Sequence, residues 1–320
     1  MKLCFAANAS REIGVGHAMR LISLAEVAKQ RLIEFKFFGK FTEVPWLWNY
    51  MKTIGIEANE DLSKINDINS SEFTLIVDSY DKSFINELLN CSWKQTLLFL
   101  DEEFPMYDFT TYIHPTIECC YKTHINANFL CGKKYIPFRK KIEKIKPEIF
   151  DSPFVKSLLI ISGGTDPHGM INGVLDEIEK IDLLKKIQVF VVADKSMVRK
   201  KKNLNLVILK PGVEIDAILK SGMAVITAAG ITSLEMVARE IPIGIIKVSK
   251  NQDSNFESLA RKELVLPVGS RGPAGSWIIN LALIEKLLLD EETRNNLKIK
   301  MHNFIDLLGA DRIISKIEAK

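Results

Sequence analysis

Met1-Lys2-Leu3-Cys4-Phe5-Ala6-Ala7-Asn8, followed within a few residues by Ile13-Gly14-Val15-Gly16-His17-Ala18-Met19-Arg20, is the stretch on which the reading of the fold turns. The apolar run 3–7 reads as a buried first strand, because it reaches polar Asn8 before it is long enough for the hydrophobic region of a signal peptide. After the glycines, Ala18, Leu21, Ile22, Ala25 and Ala28 recur at the spacing that lines one face of a helix. A strand, a glycine turn and an amphipathic helix in that order open a doubly wound α/β sheet.

The same alternation continues outward from this opening. Strand candidates lie at 3–7, 35–39, 74–78 and 96–100, then at 157–162, 188–193, 206–209, 224–227 and 243–248, with helical patterns between them. Residues 139–147 are rich in lysine, and Phe150-Asp151-Ser152-Pro153 has the punctuation of a linker. A boundary near 150 gives domains 1–149 and 150–320. The tail from 291 to 320 has a helical pattern broken at Gly309, and its last helix is placed to pack back on the first domain. Two doubly wound parallel-sheet domains joined this way are expected to face a central cleft at the carboxyl ends of their strands, where such sheets bind ligands.

The chain has 320 residues, 47% hydrophobic and 26% charged, with a formal net charge of +3. That balance excludes a disordered chain and makes no demand for nucleic acid. The dense basic run Arg199-Lys200-Lys201-Lys202 reads as a solvated loop. Five cysteines, with Cys119 and Cys120 adjacent, cannot be fully paired within one chain, which points to a reducing compartment. No Cys-x-x-Cys or His-x-x-x-His spacing supports a metal site. No apolar run of about 18 residues marks a transmembrane helix, so the cytoplasm is the expected location.

Four constellations can carry chemistry. Gly14 and Gly16 let the backbone turn and a ligand approach, while free N–H groups at the helix start attract anions. The pattern is not the dinucleotide fingerprint, since Met19 stands three residues after Gly16. In the first turn the helix dipole disfavours an imidazolium, so the His17 ring should be neutral near pH 7 and able to take a proton; a histidine that only hydrogen-bonds the loop is the structural alternative. His114 is a further candidate to face the cleft. Ser162-Gly163-Gly164-Thr165-Asp166 is a strand-end loop suited to a phosphate, or an ordinary strand-to-helix turn. In Ala228-Ala229-Gly230-Ile231-Thr232-Ser233-Leu234-Glu235, Gly230 frees the backbone and Thr232 is a good N-cap. Thr232 and Glu235 have the spacing of a capping box; alternatively the Glu235 carboxylate accepts both hydroxyls of a ribose. Asn251-Gln252 offers neutral amides suited to sugar hydroxyls and phosphate oxygens. The aromatic run Pro45-Trp46-Leu47-Trp48-Asn49-Tyr50 reads first as core packing or a helix face, and otherwise as an acceptor platform or membrane-surface contact.

Taken in order, Gly14-Val15-Gly16-His17 with Arg20, Val77-Asp78-Ser79-Tyr80, Asp101-Glu102, Cys131-Gly132-Lys133-Lys134-Tyr135 with Arg139, Gly163-Gly164-Thr165-Asp166, residues 228–235 and Asn251-Gln252 resemble the PseG family. Its members are UDP-2,4-diacetamido-2,4,6-trideoxy-β-L-altropyranose hydrolases of pseudaminic acid biosynthesis, a pathway tied to flagellin glycosylation. The likeness spans roughly residues 1 to 265, and extends more loosely to SpsG-type proteins and MurG-like glycosyltransferases of the GT-B fold. It implies metal-independent inverting hydrolysis of a UDP-linked sugar, with no cofactor. By the same resemblance His17 is catalytic, and Gly14, Gly16, Arg20, Asn8, Asp78, Tyr80, Asp101, His114, Asn251 and Gln252 lie on the substrate. UDP would be held by Gly163, Gly164, Ala229, Gly230, Ile231, Thr232 and Glu235. The chain departs from the family pattern at Ala6-Ala7-Asn8, where an arginine and an aspartate are usual, at Asp101-Glu102, where two aspartates are usual, and at His114-Pro115, where an asparagine is usual. Neutral Asn8 removes a carboxylate that would orient the histidine or substrate. Transfer to an acceptor by a GT-B glycosyltransferase, and non-catalytic nucleotide-sugar binding, are the other functions this pattern permits.

Overall fold

The computed structural model describes residues 1–101, 107–119, 128–142, 155, 157–219 and 222–319. Glu102, Cys120 and the linker signal at 150–153 lie outside that set. Two compact units result: Met1–Lys141 together with Asp306–Lys320, and Ile142–Ile305.

The first unit runs β1 (Lys2–Ala6), α1 (Gly16–Gln30), β2 (Glu34–Phe38), α2 (Pro45–Thr53), β3 (Phe73–Val77), α3 (Lys82–Leu89), β4 (Gln95–Phe99), β5 (Thr111–His114) and β6 (Asn128–Cys131). These strands form a single sheet in the order β2-β1-β3-β4-β5-β6, and every pairing in it is parallel. β3 is buried at all five positions, and Leu3, Cys4, Phe5 and Ala6 of β1 are fully buried, as expected where a parallel sheet is covered on both faces. The chain leaves β1 for β2 on one side and returns to β3 on the other. The strand order therefore reverses at β1 and β3, leaving a crevice at their carboxyl ends.

The second unit contains β7 (Ser157–Ile161), α4 (Met170–Ile178), β8 (Gln188–Val192), β9 (Asn205–Leu209), β10 (Met223–Ala228), α5 (Ile231–Ala238), β11 (Ile243–Lys247), α6 (Asp253–Arg261), β12 (Leu266–Arg271), β13 (Trp277–Ile279), α7 (Leu281–Leu289) and α8 (Glu291–Met301). Its sheet is ordered β13-β12-β11-β10-β7-β8-β9, parallel except for β13, and reverses at β7 and β10. All nine expected strands occur, each shifted by at most about two residues at either end. β5, β6, β12 and β13 were not legible. β5 and β6 are four residues long with polar ends, and β12 carries Pro267 and Gly269. The close approach of β13 to α4 requires Gly173: a Cβ there would lie 2.2 Å from the Trp277 ring.

The chain ends in α9 (Gly309–Glu318), which belongs to the first unit. Gly309 is the first residue of this helix, and a Cβ on it would sit 1.9 Å from the Ile136 carbonyl oxygen, so glycine permits the contact. Ile313, Ile314 and Ile317 join the core formed by Leu21, Leu24 and Ala28 of α1. Asp311 accepts from Arg31 at 3.3 Å and from Lys140 at 2.6 Å.

Three sequence readings are settled locally. Trp46, Trp48 and Tyr50 lie on α2 packed against the core, with Trp48 stacked on Phe41 at 6.2 Å between centroids, so the core-packing reading holds for them. In the basic run, Lys201 is not solvated: its ammonium is buried against Asp176 and lies 3.3 Å from Glu179. The cysteines are partly paired, as their odd number requires. Cys119 and Cys131 form a disulfide, while Cys4 is a buried free thiol and Cys91 a half-buried one. Pairing is decided by which sulfurs the fold brings together, which a count cannot supply.

Candidate functional site

The crevice of the first sheet gathers side chains from α1, β3, β4 and β5. The turn that feeds α1 is tight: Gly14 has φ +80° and its N–H donates to the Ser10 carbonyl at 3.0 Å. A Cβ on Gly16 would meet nothing within 4 Å, so the helix start is open to close approach. His17 is the second residue of α1, and Arg20 follows one turn later on the same face. Asp78 and Tyr80 follow β3, Asp101 follows β4, and His114 ends β5.

These residues form one buried ionic network. His17 Nδ1 lies 2.5 Å from Asp78 Oδ1. Arg20 donates from Nε to Asp78 Oδ2 at 2.7 Å and from Nη2 to Asp78 Oδ1 at 2.8 Å. Its other edge grips Asp101, with Nη2 donating to Oδ2 at 2.7 Å and Nη1 to Oδ1. Tyr80 donates its hydroxyl to Asp101 Oδ2 at 2.5 Å, and its ring meets that of His17 edge-on with centroids 4.5 Å apart. Phe99 lies beneath the guanidinium, 5.4 Å from its centroid.

The electrostatics follow from burial against charge. Asp78 is 1% exposed, and His17 and Arg20 each 8%. Burial works against an ionised Arg20, and the Asp101 and Asp78 carboxylates outweigh it, holding the guanidinium charged well above its ordinary range. Burial likewise opposes an ionised Asp101, and the Arg20 charge overcomes that, so this carboxyl lies below the usual carboxylate range. With two carboxylates and one guanidinium, the cluster keeps one uncompensated negative charge beside the His17 ring.

His114 is 3% exposed, and burial, with Arg20 assisting, pushes its pKa down to about 4 from 6.5 despite Asp101. The unfolded chain therefore takes up this proton first on acidification. Stability from His114 is complete above pH 6.5 and is lost as pH falls from 6.5 towards 4, by about 3 kcal/mol at one pKa unit per 1.4 kcal/mol. The expected outcome is that His114→Gln flattens this limb of the stability curve, read from urea midpoints at pH 7.5 and 4.5. Parallel curves for the two proteins would exclude it.

The structure places one first-unit candidate differently from expectation. Asn8 does not reach the network; its Oδ1 accepts from the Lys40 backbone N–H at 2.9 Å and ties down the loop after β2. The orienting carboxylate that Asn8 fails to supply comes from β3, as Asp78. Asp78 in turn has both oxygens engaged by His17 and Arg20. Phe99 and the disulfide sulfur of Cys131, 3.7 Å from His114 Nδ1, were not legible, because only strand pairing brings them there.

In the second unit the candidates meet at the β7–β10 reversal. A Cβ on Gly163, which has φ +99°, would lie 4.0 Å from Thr232 Oγ1, and one on Gly230 would lie 3.8 Å from Gln252 Nε2. Gln252 Oε1 accepts from the Val248 N–H at 3.0 Å, which fixes the amide with its NH₂ towards the Gly230 turn. Asn251 Oδ1 accepts from the Ser249 hydroxyl at 2.5 Å. The capping-box reading is overturned. α5 begins at Ile231 with Gly230 as N-cap, so Thr232 and Glu235 are both inside the helix, and it is Ser233 that bonds back, donating to the Gly230 carbonyl at 2.7 Å. α4 contrasts with α5, since Asp166 accepts from the Met170 and Ile171 N–H groups at 2.9 and 3.0 Å and so fills that helix start itself. Among the described residues no group of three or more His, Cys, Asp or Glu is arranged to hold a metal ion, and no helix is long and apolar enough to cross a membrane.

Two doubly wound parallel-sheet units, each with its candidate site at the strand-order reversal, define the GT-B fold. MurG of Acinetobacter baumannii superposes over 100% of both chains with a TM-score of 0.62 at 10% identity. The spinosyn forosaminyltransferase SpnP does so over 100% of both chains, also at 0.62, with 13% identity. In sequence, the uncharacterized protein MJ1062 of Methanocaldococcus jannaschii is 24% identical over 289 residues, covering 82% of this chain. The match takes in 59% of that relative's length, so the chain corresponds to part of it. No model of a known protein family matches the chain.

Proposed function

We propose that the chain is a glycosyltransferase that uses a nucleotide-sugar donor and takes the proton of its attacking oxygen on His17. The observation that carries this reading is the 2.5 Å contact of His17 Nδ1 with buried Asp78: a ring held by a carboxylate at Nδ1 has Nε2 left to act as a base. An acceptor hydroxyl loses its proton to Nε2 while its oxygen attacks the anomeric carbon. The bond from that carbon to the diphosphate oxygen breaks, the nucleoside diphosphate leaves with the electron pair, and the configuration inverts. The negative charge of the Asp78–Asp101–Arg20 cluster stabilises the imidazolium that forms.

The nucleotide is assigned to the second unit. The first turn of α5, entered through Gly230, directs its backbone N–H groups at an incoming diphosphate, and the helix dipole favours the charge that develops as it leaves. Glu235, buried on the same helix, is assigned to the ribose hydroxyls, and Gln252 with Asn251 to the phosphates or sugar. The likeness to a forosaminyltransferase supports transfer over hydrolysis. Hydrolysis of a UDP-linked 2,4-diacetamido-2,4,6-trideoxy sugar is the second reading, supported by the ordered motif set from Gly14 to Gln252, and it needs only that water take the acceptor's place.

The test is incubation of purified protein with UDP- and TDP-linked sugars, including 2,4-diacetamido donors, with products followed by NMR. Diphosphate release that requires an added acceptor supports transfer. Release of inverted free sugar without acceptor moves the assignment to hydrolysis. Tight binding with no turnover across the panel would overturn both.

A further inference from the structure

The two sulfurs of the Cys119–Cys131 bond occupy unlike places. Cys131 ends β6, paired in register with His114 at the end of β5. It is half-buried, and its sulfur lies 3.7 Å from His114 Nδ1, whereas Cys119 is exposed. A thiolate attacks the sulfur it can reach, and a sulfur that can share a proton with a neighbouring imidazole is the better leaving group. The fold therefore gives the bond a direction, with Cys119 the sulfur attacked and Cys131 the one that departs. The bond also anchors a short span. From His114 the chain passes through buried Pro115, Thr116 and Ile117 to Cys119, and the Thr116 N–H donates back to the His114 carbonyl at 2.9 Å. From the β6 side the Gly132 N–H donates to the same carbonyl at 3.1 Å. Joining Cys119 to Cys131 thus closes the chain around His114, which is 3% exposed. The charged groups that face this ring, Asp101 after β4 and Arg20 on α1, act on it in opposite senses, so its burial sets its state.

We propose that the Cys119–Cys131 disulfide is a redox-sensitive latch, which keeps the His114 ring buried at the crevice and releases it when a dithiol reduces the bond. In the first step a thiolate of the reductant attacks Cys119 Sγ and forms a mixed disulfide. The bond to Cys131 breaks, and its electron pair leaves on Cys131 Sγ, which takes up a proton. The new thiol differs from the disulfide sulfur in having a hydrogen to exchange with the imidazole beside it. In the second step the reductant's other thiolate attacks the mixed disulfide, and Cys119 leaves with the pair and is protonated. Two electrons and two protons pass to the protein, and the dithiol departs as a disulfide. The span 115–119 is then no longer tied to β6, and solvent reaches the ring. A purely structural crosslink behaves otherwise, since the folded chain would resist its opening. Exposure of His114 is read without reference to turnover, so a failure here and a failure of His17 as base are separate results.

The experiment uses the full chain carrying Cys120→Ser, so that the neighbouring thiol cannot take over the bond. Equilibration in glutathione redox buffers, trapping with iodoacetamide and peptide mass spectrometry should show the bond opening reversibly while circular dichroism stays native. The glutathione adduct should form on Cys119 at least tenfold more than on Cys131. Diethyl pyrocarbonate should acylate His114 at least fivefold faster after reduction with dithiothreitol than in the oxidised protein, with exposed His302 as the reference rate. Cys119→Ser in the same background should match the reduced rate without any reductant. A bond that opens only in urea, unfolding on reduction, an adduct chiefly on Cys131, or one His114 rate in both states overturns the latch. The comparison of oxidised and reduced protein decides even if Cys119→Ser does not fold.

Discussion

His17→Ala is expected to lower turnover by about 10²-fold or more while leaving nucleotide affinity nearly unchanged. The two readouts separate because His17 belongs to the first unit, whereas Gly230, Thr232, Glu235 and Gln252, assigned to the nucleotide, belong to the second. Losing the base removes a proton acceptor needed only when the attacking oxygen is activated, so the loss falls on kcat. His17 is also buried beside Asp78, and the variant leaves one carboxylate oxygen with a single remaining donor, Arg20 Nη2. A thermal melt is therefore needed beside the assay, and nucleotide titration by calorimetry supplies the affinity. Turnover within threefold of wild type would remove His17 from the mechanism.

The second large effect is on stability. Arg20→Leu leaves Asp78, 1% exposed, and Asp101 without the cation they share. Breaking a buried pair by removing one partner typically costs 3–5 kcal/mol, because a desolvated charge is left uncompensated. For the transition of the first unit that amounts to a fall in Tm of roughly 10 °C. The pH dependence has a definite sign. In the native protein Asp101 is held below the usual carboxylate range, so its contribution is present above the unfolded value and is lost as pH falls through the folded one. The deficit of Arg20→Leu should therefore be largest near neutrality and shrink on acidification, as the stranded Asp101 carboxyl protonates. A deficit that is small, or that grows towards acid, would show that Arg20 does not hold this cluster together.

How much was legible from the sequence can be judged element by element. β1, β3, β7 and β10 were readable because strands buried on both faces must be nearly continuous in Val, Ile, Leu and Ala, and 73–77 and 223–228 are. His17 was readable from its place in the opening turn of α1, whereas Arg20, one turn further on, entered only through the resemblance of the ordered motifs. β12 and β13 were hidden because proline, glycine and a three-residue length carry no periodic signal. The misreading of Thr232 and Glu235 has a different cause. A capping box and a helix that starts two residues earlier without a side-chain cap contain the same letters, and only the backbone shows that Gly230 is the N-cap.

The sequence by itself determined the alternation of buried strands with helices, the glycine turns after β1, β7 and β10, and a histidine in the opening turn of α1, since each depends on residues within about ten positions of one another. The tertiary structure alone decided that Asp78 rather than Asn8 orients this histidine, that Arg20 is clamped between two carboxylates, and that Cys119 meets Cys131. Asp78 and Asp101 lie 61 and 84 positions from His17, and they converge only because parallel pairing of β1, β3 and β4 ends these strands on one edge of the sheet. Which carboxylate reaches the ring is set by strand order and register, and those are properties of the assembled sheet that no local pattern encodes.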